Sequence, residues 1–288
     1  MNLISLQSFL SLIRFNVSLA VTFTAYATAL IFRKSFSWLD ILPMTGIFLL
    51  AAGASVLNQY QESEYDAKMS RTDKRPVPSG MVEPETASIL SIIFILTGLI
   101  LIATRELWLT MMLGLFNVVW YNGFYTWLKR KTPFAVVPGA LTGAIPVLMG
   151  WTAAGGSINH PLPLFLAFFI FLWQVPHFWL LSIIYEEDYR NAGFPVLTDI
   201  FKLNQMKKII FAWLLATSLS TILMMFFKIL HQNFTVTTIL ILNLVLLYLS
   251  AHILFFSRKS GYRLQFHLVN IFIVLVFCVI VADSLLYQ

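Results

Sequence analysis

Apolar positions along this chain come in runs of about 20 residues, with little alternation of polar and apolar side chains inside them. Each run is long enough to cross about 30 Å of hydrocarbon as an α-helix. The pattern predicts nine spans, at roughly 10–32, 38–57, 86–104, 107–128, 136–154, 162–185, 209–227, 234–256 and 265–286. Lipid cannot satisfy an open sheet edge, so runs of this length predict an all-α, polytopic membrane protein built as a bundle of nine transmembrane helices. Gly139, Gly143 and Pro146 interrupt the fifth span, and Pro176 lies inside the sixth, where its missing N–H predicts a kink. No linker or low-complexity tract divides the chain, which predicts one integral-membrane domain over residues 1–288.

Basic residues orient the bundle. With nine spans, the amino-terminal side carries Arg14; Lys68, Arg71, Lys74 and Arg75; Lys129, Arg130 and Lys131; Arg190, Lys202, Lys207 and Lys208; and Arg258, Lys259 and Arg263. Only Arg33, Lys34, Arg105 and Lys228 fall opposite. The positive-inside rule then puts the amino terminus in the cytoplasm and the carboxyl terminus outside the cell membrane. This asymmetry accounts for the net charge of +6, which therefore does not suggest nucleic acid. A hydrophobic content of 59% and a mean hydropathy of +0.81 agree with the pattern and exclude an ordinary soluble domain. The lone Cys278 sits in the ninth span, so no disulfide framework or cysteine metal site is expected. Span one is too long for a cleavable signal peptide, and Arg14 follows its start.

Acidic residues change the picture. Glu62, Glu64, Asp66, Asp73, Glu83 and Glu85 follow the second span, and Glu186, Glu187, Asp188 and Asp199 follow the sixth. Ten of the 13 acids thus share the cytoplasmic face, although the positive-inside rule does not govern acids. Asn58, Glu62 and Asp66 recur every four residues, on one face if the second span continues as a helix. Glu64 points to a different face. Oxygen donors so spaced suit Mg²⁺, which takes one or two carboxylates together with substrate oxygens. Lys68, Arg71 and Arg75 follow directly, and arginine offers a bidentate fork to phosphate. The mixture reads as a site for metal-bridged phosphate; the alternative is a solvated juxtamembrane segment whose charges pair with one another.

The second stretch, Ile183 to Asp199, sets Tyr185 and Tyr189 around Glu187 and Asp188, which can take a second metal. Its alternative is a surface loop with a helix stop at Gly193–Pro195. Trp173 to Trp179, "WQVPHFW", brings Gln174, Pro176 and His177 toward lipid depth, where polar groups face a cavity or the bundle interior. A kinked helix with His177 bonded to a neighbour is the plainer reading. His160, His231, His252 and His267 are expected to be structural or exposed.

Asn58 to Pro76, N-x3-E-x3-D-x2-M-x-R-T-x2-R-P, resembles the first acidic motif of UbiA-type intramembrane prenyltransferases. Met69, Arg71-Thr72 and Arg75-Pro76 are most similar to the haem O synthase branch. "YTWLKRKTP" leading into "GALTGAIPVLMGW", and "WQVPHF" leading into "EEDYRNAGFPVL", agree with that branch in the same order. Departures are Glu62 and Glu64 in place of aspartates, Arg14-Phe15-Asn16 in place of Lys-Pro-Arg, and Pro195-Val196-Leu197-Thr198 in place of Pro-Met-Leu-Pro.

The resemblance implies transfer of farnesyl from farnesyl diphosphate to a vinyl group of haem b, followed by capture of the new cation by water. Haem is then a substrate, and the product serves a haem-using terminal oxidase. It implies Mg²⁺ held by Asn58, Glu62 and Asp66 on one side and by Glu187 and Asp188 on the other. Asn58, Glu62, Asp66 and Asp188 become the catalytic set. Lys68, Arg71, Arg75 and Lys129 hold diphosphate or an acidic group of the acceptor. Tyr125, Tyr185, Trp173 and Phe178 offer aromatic faces to an allylic cation, and His177 orients the water or touches haem. The alternatives are another acceptor, such as a quinone precursor, or a prenyl-phosphate binder or transporter that performs no chemistry.

Overall fold

The computed structural model describes residues 5–226, 230, 232–256 and 261–286. Lys228, His231, Arg258 and Lys259 lie outside the described residues. Among the described residues the chain is helical without strands, in the order α1 (Leu6–Leu12), α2 (Phe15–Arg33), α3 (Ile41–Asp66), α4 (Pro84–Ala103), α5 (Trp108–Val118), α6 (Thr126–Leu128), α7 (Val136–Gly139), α8 (Leu141–Ala153), α9 (Pro161–Ile184), α10 (Glu186–Asn191), α11 (Leu203–Phe226), α12 (Asn233–Ala251) and α13 (Tyr262–Leu286). Among the described residues eight helical segments are long and apolar enough to cross a membrane, which makes this a multi-pass membrane protein. The remaining expected span, 107–128, is a helical run in which π-helical turns, Val119–Tyr125, join α5 to α6.

The first two expected spans differ from their helices for physical reasons. The first breaks at Arg14, whose left-handed backbone (φ 46°) separates α1 from α2. Gln59 of α3 holds α1 in place by donating through Nε2 to the Ser11 and Leu12 carbonyls, at 3.0 and 2.8 Å. The second span ends at residue 57 by hydropathy, yet α3 runs to Asp66. Its last turns are polar but buried, with Asn58, Gln59, Glu62 and Asp66 each at most 3% exposed, so partners rather than lipid hold them. Helix α9 runs unbroken through Pro176.

The main core gathers α2, α8, α9 and α11–α13 around buried Leu166, Phe169, Leu180, Leu214, Val276 and Ile280. Helix α8 meets α2 at Gly150, where a Cβ would lie 1.8 Å from the Ala25 carbonyl oxygen. The opposite flank is α4, whose Ile89, Ile92, Ile93, Leu96 and Ile100 are exposed, as a lipid-facing surface requires. Trp108 and Trp127 stand exposed at the two ends of the fourth span, where amphipathic rings suit the membrane–water boundary.

Candidate active site at the charged end of the bundle

Three residues spaced one turn apart on α3 are each gripped by one atom. The Asn58 amide donates through Nδ2 to Thr126 Oγ1 at 3.2 Å. Glu62 Oε2 accepts from Lys129 Nζ at 2.5 Å, and Asp66 Oδ2 accepts from Arg75 at 2.7 Å. Glu62 Oε1 is buried and has no protein partner. Burying an orphaned carboxylate oxygen costs free energy unless something else meets it, so this oxygen is free for a cation. Among the described residues no three Asp, Glu, His or Cys side chains gather closely enough to hold a metal by themselves. That donor set fits Mg²⁺, which takes few carboxylates and completes its shell with substrate oxygens.

Cations crowd the same corner. Burial, followed by repulsion from Arg14, holds the Arg75 guanidinium below its ordinary value; Asp66 opposes this, and Arg71 adds to the repulsion. Arg14 also reaches the Tyr121 hydroxyl at 3.4 Å. Clustered guanidiniums repel one another, and an anion among them relieves that repulsion.

The π-helical turns aim this side of the site. Gln61 and Asn122 form a reciprocal pair: Gln61 Nε2 donates to the Asn122 carbonyl at 3.1 Å, and Asn122 Nδ2 donates to Gln61 Oε1 at 3.2 Å. A π-turn leaves carbonyls out of the α-helical ladder, and α3 supplies a donor for this one. Tyr121 and Tyr125 stack at 5.8 Å, and the Lys129 ammonium sits 5.6 Å from the Tyr125 ring centre and 5.7 Å from that of Phe194.

The second acidic stretch packs onto the loop that follows α3. Asp188 Oδ1 accepts from the Ser70 N–H and hydroxyl at 3.1 and 2.8 Å, and its Oδ2 accepts from the Arg71 N–H at 3.3 Å. Beneath this contact Met69, Ala192 and Phe194 form a small apolar cluster with Tyr65 and Tyr189. The Arg71 guanidinium lies 5.1 Å from the Tyr185 ring centre. The acidic triplet is divided: Glu186 pairs with Arg190 at 3.0 Å, Glu187 is exposed, and only Asp188 touches the first loop. Arg190 also bonds Asp199 at 2.8 Å, and α10 ends where Gly193 adopts a left-handed φ of 80°. Lys68 and Glu64 are exposed.

Deeper in the bundle, His177 Nδ1 bonds Asn270 Oδ1 of α13 at 2.7 Å, with the Trp173 and Phe266 rings each at 4.8 Å. An amide oxygen only accepts, so Nδ1 carries the proton and Nε2 is left as an acceptor. His160 caps α9 by accepting from the Leu162 N–H at 3.2 Å, a structural role, while His252 and His267 are exposed.

Sequence reasoning placed Arg14 on this face without a role in the site, and passed over Tyr121, Thr126 and Asn270. Asn270 carried a signal, since an amide in an apolar span needs a partner. Thr126 carried a weaker one through its adjacency to Tyr125.

A model of the UbiA prenyltransferase family matches residues 18–279. Over 174 residues the chain is 42% identical to the protoheme IX farnesyltransferase of Bdellovibrio bacteriovorus, a match that covers 60% of this chain and 59% of that protein. It is 43% identical over 155 residues to the protoheme IX farnesyltransferase of Geobacter sulfurreducens, covering 54% and 57%. The chain spans a little over half the length of these curated relatives. Among solved structures, a digeranylgeranylglyceryl phosphate synthase superposes with a TM-score of 0.79 at 17% identity, over 97% of this chain and 98% of that one. A UbiA homologue from Archaeoglobus fulgidus bound to DMAPP and Mg²⁺ does so at 0.68 and 13%, over 98% and 100%. At such identities the likeness is one of fold.

Proposed function

We propose that this chain, which belongs to the UbiA prenyltransferase family, transfers farnesyl from farnesyl diphosphate to a vinyl group of haem b, releasing diphosphate. The observation that carries this reading is the α3 face, where Asn58, Glu62 and Asp66 are each fixed by one atom beside clustered guanidiniums. Its relatives curated as protoheme IX farnesyltransferase support the choice of haem as acceptor.

One Mg²⁺ would be held by Asn58, Glu62 and Asp66 and a second by Glu187 and Asp188 on the second loop, each completed by diphosphate oxygens, and together they would neutralise charge on the departing diphosphate. Arg71, Arg75, Lys129 and Lys68 bind diphosphate oxygens, and their charge stabilises the leaving group as the C–O bond lengthens. Asp188 ties the second loop to the first, which excludes water from the allylic cation. The faces of Tyr125 and Tyr185, with Trp173 and Phe178 deeper, stabilise that cation. The vinyl carbon of haem attacks it, and water then captures the cation left beside the porphyrin ring. His177, with Nε2 as acceptor, takes the proton lost from that water. We place the protein as one domain over residues 1–288 in the cell membrane, with its amino terminus and charged loops cytoplasmic and its carboxyl terminus outside. A haem-using oxidase is the consumer of the product.

The test uses membranes supplied with labelled farnesyl diphosphate, Mg²⁺ and haem b. Diphosphate release is expected only with Mg²⁺ present and is lost on chelation; no release with any acceptor would overturn the enzyme reading. His177→Leu is expected to turn the product from the hydrated haem into the alkene formed when the cation loses a proton instead. Mass spectrometry of extracted haem would show a product lighter by one water, and an unchanged hydrated product would remove His177 from the reaction.

A further inference from the structure

The Asn58 amide presents different chemistry at its two ends, an acceptor oxygen and a donor NH₂. Only the oxygen can face a metal cation, and only the NH₂ can face a phosphate oxygen. Which end faces the site is settled by Thr126. Its hydroxyl donates its single proton to the Tyr121 carbonyl at 2.9 Å. A carbonyl cannot donate, so Thr126 Oγ1 is left as an acceptor, and the contact at 3.2 Å must come from Asn58 Nδ2. Asn58 Oδ1 is then turned away from Thr126, and the bond that Asn58 makes runs through Nδ2.

The π-helical turns make this arrangement possible. In an α-helix a threonine hydroxyl bonds the carbonyl three or four residues back. Here Thr126 reaches Tyr121, five residues back, through both its N–H and its hydroxyl. Asn58 and Thr126 are 2% exposed each, so the bond between them is shielded from water.

We propose that Thr126 is a positioning residue that fixes the Asn58 amide with its oxygen toward the metal–diphosphate site. This rests on the reading of Asn58 as part of that site. Thr126 touches neither metal nor substrate; it decides which atom of Asn58 does.

The test measures Mg²⁺-dependent binding of the non-hydrolysable farnesyl S-thiolodiphosphate to the detergent-solubilised protein by calorimetry, with the melting temperature of each variant as a check on folding. Thr126→Val, which keeps shape and removes the hydroxyl, is expected to weaken binding about tenfold, the upper end for a hydrogen bond between neutral groups. Thr126→Ser is expected to restore binding to within about twofold. In an Asn58→Asp background the same Thr126→Val change is expected to cost less than about twofold, because a carboxylate has no amide end to orient. If Thr126→Val does not fold, Thr126→Ala enters the same cycle. Wild-type binding by Thr126→Val, or an equal loss in both backgrounds, would overturn the proposal. Wild-type binding by Asn58→Ala would instead take down the site reading, and the proposal with it.

Discussion

Asp66→Asn is expected to lower Mg²⁺-dependent diphosphate release by about 100- to 1,000-fold, the cost of removing one preorganised charge from a charge-stabilising site. The substitution keeps the size of the side chain and its place at the end of α3, where Asp66 is 1% exposed. What it removes is the negative charge that accepts from Arg75 at 2.7 Å and offsets the repulsion of Arg14 and Arg71 on that guanidinium. Arg75 would then be buried among like charges with a neutral partner, and its fork would no longer be aimed. The proposed metal loses a carboxylate at the same time, so extra Mg²⁺ is expected to recover only part of the rate. Asp199→Asn makes the contrast: its ion pair with Arg190 is half exposed on both sides, where solvent screens it, and release is expected to stay at the wild-type rate. If both variants keep wild-type release in the same membranes, the α3 acids do not act on the diphosphate.

Gly150→Ala is expected to have the largest effect on the fold. A Cβ there would sit 1.8 Å from the Ala25 carbonyl oxygen, 2.5 Å from its carbon and 2.5 Å from Thr28 Oγ1. The first two obstacles are backbone, so no rotamer change relieves them, and α2 and α8 must separate. Overpacking costs about 1–3 kcal/mol when side chains can adjust, and more when helices must move. Separation also reaches the site, because α2 starts directly after Arg14 and the chain from Lys129 leads through α7 into α8. The expected result is a lower melting temperature in detergent and loss of the folded species on size exclusion after mild heating. Gly123→Ala is the comparison, since its added methyl meets only Val119 Cγ1 at 4.0 Å. Equal melting temperatures for the two variants would contradict the close helix crossing.

Much of the architecture was legible because lipid imposes one simple rule, that every backbone group be satisfied within its own helix. Long apolar runs therefore translated into helices, and the four-residue spacing of Asn58, Glu62 and Asp66 translated into one helical face. Hydropathy marked the wrong end for α3, because it counts side chains against lipid and cannot see that Lys129 and Arg75 cover the polar turns. The break at Arg14 was invisible for another reason: a left-handed backbone at a non-glycine residue leaves no composition signal. The π-helical turns were hidden in the same way, since Gln61 and Asn122 become a pair only once α3 and the fourth span lie side by side. Within the triplet Glu186–Asp188 the sequence singled out Glu187 and Asp188 without a means of telling those two apart. Only the fold separates one that meets Arg190, one exposed, and one against Ser70 and Arg71.

The central claim is a farnesyl transfer to haem, and the product states it most directly. Membranes holding the protein, incubated with farnesyl diphosphate, Mg²⁺ and haem b, are extracted and the haem is analysed by absorbance and mass. The predicted result is a haem in which one vinyl group has become a hydroxyethylfarnesyl side chain, formed in step with diphosphate release. Diphosphate release with haem b recovered unchanged would contradict the claim and move this chain to another acceptor.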